Sequence, residues 1–436
     1  MRRTLLSLVC VSALACAKPP EQQAQEQAEA KAAAEAKAKE EPPEWKPTRR
    51  KPEVVRTDLV ASDLPSPPTL DEFEPDVTAT GSFDYPEGTD EIAPRAVVEL
   101  GKGGLGLVGQ VYFQRRPGRP PETWRWIGFA PESGVATSTK LGPGAIRAAI
   151  PSADGGALVV GSRVGSEKAR GWFAQLDASA TVTLERDLDS PSLTEMFALV
   201  PGVASQAGEL AVVGGYVDAQ GWLVSISEAG ERRWHKFLGS YGYTQIRGLA
   251  RLDGESGDLF AIGARSETFG ESWAARVPGD GGPDASPEGA AQFKVEVAGS
   301  DPHQMLEALV DLGAGGFVAL GTAKRNFIQA HAQVIAVGFD REGKQTWSRV
   351  VPELRATSIV GGEARDGVAR FVIGVPLDAE AERSALALLE LKPGAEGEVV
   401  TRQIVDTSER SAAPMAGGVL VYGQTKTGIA WRRASL

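Results

Sequence analysis

The chain has 436 residues, 42% of them hydrophobic, and a formal net charge of −11, so it is long and apolar enough for a large core. Residues 1–50 carry nine Lys/Arg against seven Asp/Glu, which leaves −13 on the rest; so acidic a body excludes general nucleic-acid binding, which needs clustered positive charge. The only two cysteines are Cys10 and Cys16, which excludes a disulfide, a cysteine-based zinc site and a catalytic thiol from everything downstream.

The chain opens "MRRTLLSLVCVSALAC", with Arg2 and Arg3 ahead of an apolar stretch from Leu5 to Leu14 and small residues at Ala13 and Ala15. These are the parts of a secretory signal, and the stretch is far shorter than the ~20 residues that span a bilayer. Cys16 directly after Ala15 resembles the lipobox of bacterial lipoproteins, although Ala13 stands where that motif usually carries leucine. The resemblance implies a signal peptide over 1–15, acylation of Cys16 and a membrane anchor in the bacterial cell envelope. The outer membrane is the expected address, with the body facing the periplasm or the surface. Ordinary cleavage and soluble export is the alternative. A lone thiol at the first mature position favours acylation, which consumes it.

Residues 17–40 are nearly all Ala, Glu, Gln and Lys. They favour helix locally but offer no face larger than alanine to hold one in place. Eight prolines follow between 41 and 75, which predicts extended chain. Residues 16–75 therefore read as a lipidated tether carrying a body over 76–436.

Within that body a pattern of turn glycine, apolar run and closing glycine recurs. "KGGLGLVG" ends at Gly109, "DGGALVVG" at Gly161, "AGELAVVG" at Gly214 and "SGDLFAIG" at Gly263; "AGGFVALG", "DGVARFVIG" and "AGGVLVYG" end at Gly321, Gly374 and Gly423. The intervals are 52, 53, 49, 58, 53 and 49 residues. Six copies place a turn glycine six residues before the closing one, at Gly103, Gly155, Gly208, Gly257, Gly315 and Gly417. An apolar strand precedes each turn, such as "RAVVEL", "IRAAIP", "FALVP", "IRGLARL" and "LEALVDL". A third strand often opens on tryptophan ("GWFAQLD", "GWLVSIS", "SWAARV"), and turns such as "SEAG" (227–230) and "DREG" (340–343) lead to a fourth. Four antiparallel strands in about fifty residues is the pattern of a propeller blade. The last copy has room for three strands, so "DVTATGSF" (76–83) is expected to supply its outer strand and close the ring.

These repeats resemble β-propellers across about 76–436. Single blades are similar to kelch repeats (210–234) and to quinoprotein-type blades (340–347), and the whole resembles envelope lipoproteins with degenerate Asp-Gly propeller repeats. The implied fold is all-β, a seven-bladed β-propeller of four-stranded blades closed by an N-terminal strand.

Chemistry is harder to find. "GKGGLG" (101–106) matches a dinucleotide fingerprint but runs into a strand where that site needs a helix, so it reads as a hairpin turn. "DGESGD" (253–258) and "GDGGPDAS" (279–286) are acidic turns without calcium-loop spacing. The three histidines, His235, His303 and His331, fall in separate copies without metal-ligand spacing. No G-x-S-x-G element occurs, and without vicinal cysteines a quinone cofactor is not expected. No metal and no cofactor are predicted. Trp172, Trp222, Trp273 and Trp431 recur in third strands, with Trp234 and Trp347 in fourth strands, positions that predict packing between blades.

Loops joining second to third strands, together with blade-to-blade connections, form one face of a propeller. They would gather Arg115, Arg116, Arg119, Arg163, Lys168, Arg170, Lys324 and Arg325 there, with Tyr241 and Tyr243. This is the candidate binding face; solvated charge is the bland reading. The sequence therefore points to a lipid-anchored, non-catalytic binding or scaffold module for another protein or a glycan. The alternatives are a propeller enzyme, carbohydrate-active or quinoprotein-like, with its site at the central channel, and a structural spacer.

Overall fold

Short apolar runs broken by turn residues make strands rather than helices, and strands form every described element except the single 3-10 turn Gly313–Gly315. The structure is a computed structural model. It describes residues 70–435 apart from 74–75, 86–88, 101–103, 114–121, 131–135, 165–168, 189–193, 204–205, 219, 240–243, 253–256, 266–269, 282–289, 326–330, 378–383, 393–398, 405–410 and 416–417. The signal, Cys16 and most of the tether lie outside the described residues.

Strands β1 (Asp71–Phe73) and β2 (Asp76–Asp84) come first, and both join strands from the far end of the chain. Next, β3 (Thr89–Glu99), β4 (Leu105–Phe113), β5 (Thr123–Ala130), β6 (Thr137–Pro151), β7 (Ala157–Val164), β8 (Ala169–Leu176) and β9 (Val182–Asp187) make one seven-stranded antiparallel sheet. Its middle strand serves two partners: β6 pairs with β5 up to Pro143 and with β7 from Gly144 onward. The change of partner falls in "GPG" (142–144), where Gly144 has φ +142° and a methyl group would overlap the Ser162 carbonyl oxygen.

Three four-stranded sheets follow in simple chain order. They are β10 (Thr194–Pro201) to β13 (Arg232–Leu238) through β11 (Glu209–Val217) and β12 (Gln220–Ser227); β14 (Gln245–Arg251) to β17 (Ala291–Lys294) through β15 (Leu259–Arg265) and β16 (Glu271–Val277); and β18 (His303–Asp311) to β21 (Gln345–Ala356) through β19 (Phe317–Lys324) and β20 (Ala332–Phe339). In the next sheet, β22 (Ser358–Arg365), β23 (Val368–Pro376), β24 (Ser384–Leu391) and β25 (Val399–Ile404) repeat the order, and β1 adds in parallel outside β25. That small strand lies in the segment read as tether. The last sheet comprises β26 (Ser411–Met415), β27 (Gly418–Gln424) and β28 (Gly428–Ser435), with β2 outermost and antiparallel to β28. Residues 76–84 thus supply the strand that the final copy lacks, with Gly81 opposite Trp431 and no room for a side chain against the indole.

The apolar runs are buried on both faces, as two-sided burial demands. In β7, Ala157 and Val159 pack with Val108 and Ile127, while Leu158 and Val160 pack with Met196 and Val213. Likewise Phe260 and Ile262 of β15 face the β18–β20 sheet, whereas Leu259 and Ala261 face β11 and β12. Each hydrophobic cluster lies between two consecutive four-strand runs, and one joins Phe83, Leu420 and Tyr422 to Leu107 and Trp126. Trp172, Trp222 and Trp273 are buried within these clusters, and Trp234, Trp347 and Trp431 pack against them.

Gly103 and Gly417 lie outside the described residues; among the others, turn chemistry follows expectation with one exception. Gly155, Gly208, Gly257 and Gly367 have positive φ, as tight hairpins require. In "LGAGGF", however, the turn is a 3-10 turn, and positive φ falls on Gly313 and Gly316 rather than on Gly315. In the third-to-fourth-strand turns, Asp177 and Asp340 accept backbone N–H bonds from two and four residues ahead, and Ala180 and Gly343 take the positive φ.

Phe83, 1% exposed on the strand returned from the N-terminus, meets Trp126 edge-on at 5.8 Å. Phe83→Ala should cost about 3–5 kcal/mol, read as a lowered denaturation midpoint in urea.

Candidate functional site

Six of the first strands are irregular at one repeated place. Register slips between Pro94 and Ala96 in β3, Ile146 and Ala148 in β6, and Met196 and Ala198 in β10. It slips again between Ile246 and Gly248 in β14, Leu306 and Ala308 in β18, and Ile359 and Gly361 in β22. Each slip is a β-bulge that leaves one residue unpaired and re-aims its side chain. The six residues so displaced are Arg95, Arg147, Phe197, Arg247, Glu307 and Val360.

A bulge of this kind needs room in the neighbouring strand, and glycine provides it. Added methyl groups on Gly109, Gly161, Gly215, Gly263 and Gly321 would overlap the carbonyl oxygens of Ala93, Ala145, Glu195, Gln245 and Met305. The closing glycine of the repeat is therefore a seat for the bulge. In the third copy the seat is Gly215, one residue beyond the Gly214 singled out in the sequence. In the sixth, Val360 bulges opposite the Ile373–Val372 pair while Gly374 pairs with Ser358. No register shift occurs in β26.

All six displaced residues line one cavity of about 590 Å³, with walls from β3, β6, β10, β14, β18, β22 and β26. Its charged groups cluster on one arc. The Arg247 guanidinium lies 4.1 Å over the Phe197 ring and that of Arg147 lies 5.6 Å from the same ring. Phe197 also stacks on Tyr216 at 5.8 Å. Arg147 pairs with Glu195 at 3.2 Å, Arg247 donates to Gln245 Oε1 at 2.6 Å, and Arg95 to Gln110 Oε1 at 3.3 Å. The Nε atoms of Arg147 and Arg247 are buried without a partner. Burial pulls the Arg247 pKa down, opposed by the nearby Glu307 charge and assisted by that of Arg147. Burial pushes the Glu307 carboxyl up, against a 2.6 Å hydrogen bond from the Thr322 hydroxyl and the charges of Arg247 and Lys324. Ile359, Val360, Leu386 and Ala413 add apolar lining, beside Thr357, Ser358 and Tyr422.

The expected binding face is only partly in view. Arg115, Arg116, Arg119, Lys168, Tyr241 and Tyr243 lie outside the described residues. Arg163 sits at the end of β7, 3.4 Å from Asp187 and 3.8 Å from Glu185, directly opposite Arg170 of β8. Arg325 pairs with Asp301 at 3.6 Å, and Lys324, at the end of β19, acts on Glu307 through its charge. The structure therefore brings Lys324 to the cavity group and sets Arg163 and Arg325 against carboxylates. Among the described residues, no three side chains able to ligate a metal come together.

No protein-family model and no curated protein matches the chain. Solved structures do. A Dyadobacter fermentans protein of unknown function shares 11% identity over 83% of this chain and 98% of its own, with a TM-score of 0.45. The structure of BBS1N in complex with ARL6DN shares 11% over 81% and 97%, at 0.45. The NanB sialidase of Streptococcus pneumoniae shares 8% over 81% and 70%, at 0.40. Such identities carry no ligand and no residue role to this chain.

A further buried acid lies on β22. Both carboxylate oxygens of Glu363 are buried without a hydrogen-bond partner, and burial pushes its pKa up to about 7, helped by Glu99 and opposed by Arg370 and Arg365. The folded state thus holds this proton more tightly than the unfolded chain, whose pKa is near 4.5. Stability from this group is full below that value and is lost as pH rises to about 7. Glu363→Gln should therefore gain on the wild type across that window, by roughly a few degrees of Tm at pH 8 and almost none at pH 4, as differential scanning calorimetry would show.

The bulge seat makes a second prediction. Gly263→Ala forces a methyl into the Gln245 carbonyl, whereas Gly208→Ala meets nothing and strains only a φ of +76°. The first should lose about 1–3 kcal/mol more stability than the second, measured by urea denaturation of both variants.

Proposed function

We propose that the chain is a seven-bladed, ring-closed propeller on a lipidated tether, and that it serves as a non-catalytic binding module of the cell envelope whose ligand occupies the central cavity. The switch of partners within β6 divides the seven-stranded sheet into two runs of four, which brings the number of four-strand runs to seven. First strands touch in the order β3, β6, β10, β14, β18, β22, β26 and back to β3. The hydrophobic clusters follow the same circuit, from the first and second runs around to the seventh and first. Anchoring through Cys16 rests on the N-terminal sequence alone.

The observation that carries the binding reading is the convergence of six bulged side chains on one cavity. A volume of about 590 Å³ falls in the range that holds a small molecule. Arginines keep their protons at any physiological pH and so hold and orient rather than exchange protons; three of the six positions are arginine. This reading moves the site from the rim loops to the channel, where a terminal sugar, a small molecule or one side chain of a partner protein would enter.

Val360→Trp would fill the apolar arc from a position that already projects into the cavity. Protein purified from its own cells should carry a bound small-molecule mass in native mass spectrometry, and this variant should lose it while keeping its far-UV circular dichroism. A wild type without any adduct, or a variant that retains the same adduct, would sink the proposal.

A further inference from the structure

We infer that the cavity takes an amphipathic organic acid, its anionic head held by Arg147 and Arg247 over the Phe197 ring and its apolar body laid against Ile359 and Val360. The inference rests on the central cavity being the binding site and adds the chemical class of the ligand.

Three observations carry it. The first is that two cations lie close to one aromatic ring, at 4.1 and 5.6 Å. Each cation is attracted by the ring, yet the two repel one another. An anion held by both offsets that repulsion. Second, hydrogen-bonding capacity is left over on these two residues, whose Nε–H groups are buried and unpartnered. Among the described ion pairs Arg147 has Glu195, whereas Arg247 has only the neutral Gln245 amide at 2.6 Å. Glu307 does not take that role: its carboxylate accepts from Thr322 at 2.6 Å, and burial favours its uncharged form. A buried donor without an acceptor is costly, and a planar carboxylate offers two acceptors to such a pair.

The third observation is the division of the cavity. Arg95, Arg147 and Arg247 come from β3, β6 and β14, while β22 and β26 present Ile359, Val360 and Ala413 together with Ser358. A bare oxyanion would leave that second arc in contact with water, and a purely apolar ligand would leave the arginine donors unmet. A molecule with one charged end and one apolar end satisfies both.

The test is isothermal titration of the full-length protein with octanoate, octanamide, octylamine, acetate and inorganic phosphate. Octanoate should bind, octanamide should bind about ten-fold or more weakly, and octylamine should not compete. Acetate and phosphate should each be weaker than octanoate. Arg247→Gln, with Arg147→Gln as a second variant should the first fail to fold, should lose octanoate about ten-fold and leave octanamide unchanged. Three results would overturn the inference while leaving the cavity as the site: octanamide binding as tightly as octanoate, phosphate binding as tightly as octanoate, or no octanoate binding at millimolar concentration alongside a native adduct that Val360→Trp abolishes. Octanoate binding that persists undiminished in Val360→Trp would instead overturn the cavity itself.

Discussion

A strand that is apolar on both faces can be satisfied only by two neighbours at once, and nearly everything in this fold follows from that requirement. Alternate residues along β7 or β15 enter different clusters, so neither face of such a sheet can be left in water without exposing several apolar side chains. A linear stack of such sheets would end in two bare faces. The chain avoids this by sending β2 to the outside of β28 and packing Phe83 of that strand with Trp126 and Leu107 of the first run. In the proposed ring the terminal strand is thus a structural member: it buries the last apolar face and pairs an edge that would otherwise invite aggregation.

The same packing fixes the site. Strands buried between neighbours cannot shift to accommodate a ligand, so side chains are redirected by the backbone itself. A bulge turns one residue of the innermost strand out of the regular alternation, and a glycine on the adjoining strand makes the bulge possible. Scaffold and site are coupled by that contact. Nothing about Arg147 or Arg247 alone would place them over Phe197; the bulges at equivalent depth in β6, β10 and β14 do so.

Much of this was legible in the amino-acid sequence, and the failures have physical causes. Two-sided apolar runs, packing tryptophans and the partner strand at 76–83 are local or periodic features found where expected, and so are the described turn glycines apart from Gly315. The closing glycine was visible as a repeat, but its purpose concerns a carbonyl on another strand and cannot be read from its own surroundings; in "VVGGYV" two adjacent glycines hide which one is the seat. The cavity residues stand within strands recognised from the sequence, in "PRAV", "IRAA", "MFAL", "IRGL", "LEAL" and "IVGG". Regular alternation would have spread them between sheet faces. The available signal was a charged or bulky residue directly before alanine or glycine at one fixed position, which marks the bulge. Charge in loops drew attention instead, yet Arg163 and Arg325 are set against Asp187 and Asp301, and exposed pairs of that kind contribute little.

Electrostatics explain why the interior, and not the rim, suits an anionic ligand. Outside its first fifty residues the chain carries −13, a field that would repel an anion approaching the surface. At physiological ionic strength such a field fades within about 8 Å, whereas charges inside a low-dielectric cavity are hardly screened. Arg95, Arg147 and Arg247 line that cavity, and burial already weakens the hold of Arg247 on its proton. A neighbouring carboxylate would reverse that effect, and Glu307, itself held toward its neutral form, supplies it only in part. In the proposed reading a bound acid would supply the rest. An acidic exterior and an arginine-lined interior are thus compatible: in the proposed reading a ligand's charge is met by the cavity lining and not by the field of the surface.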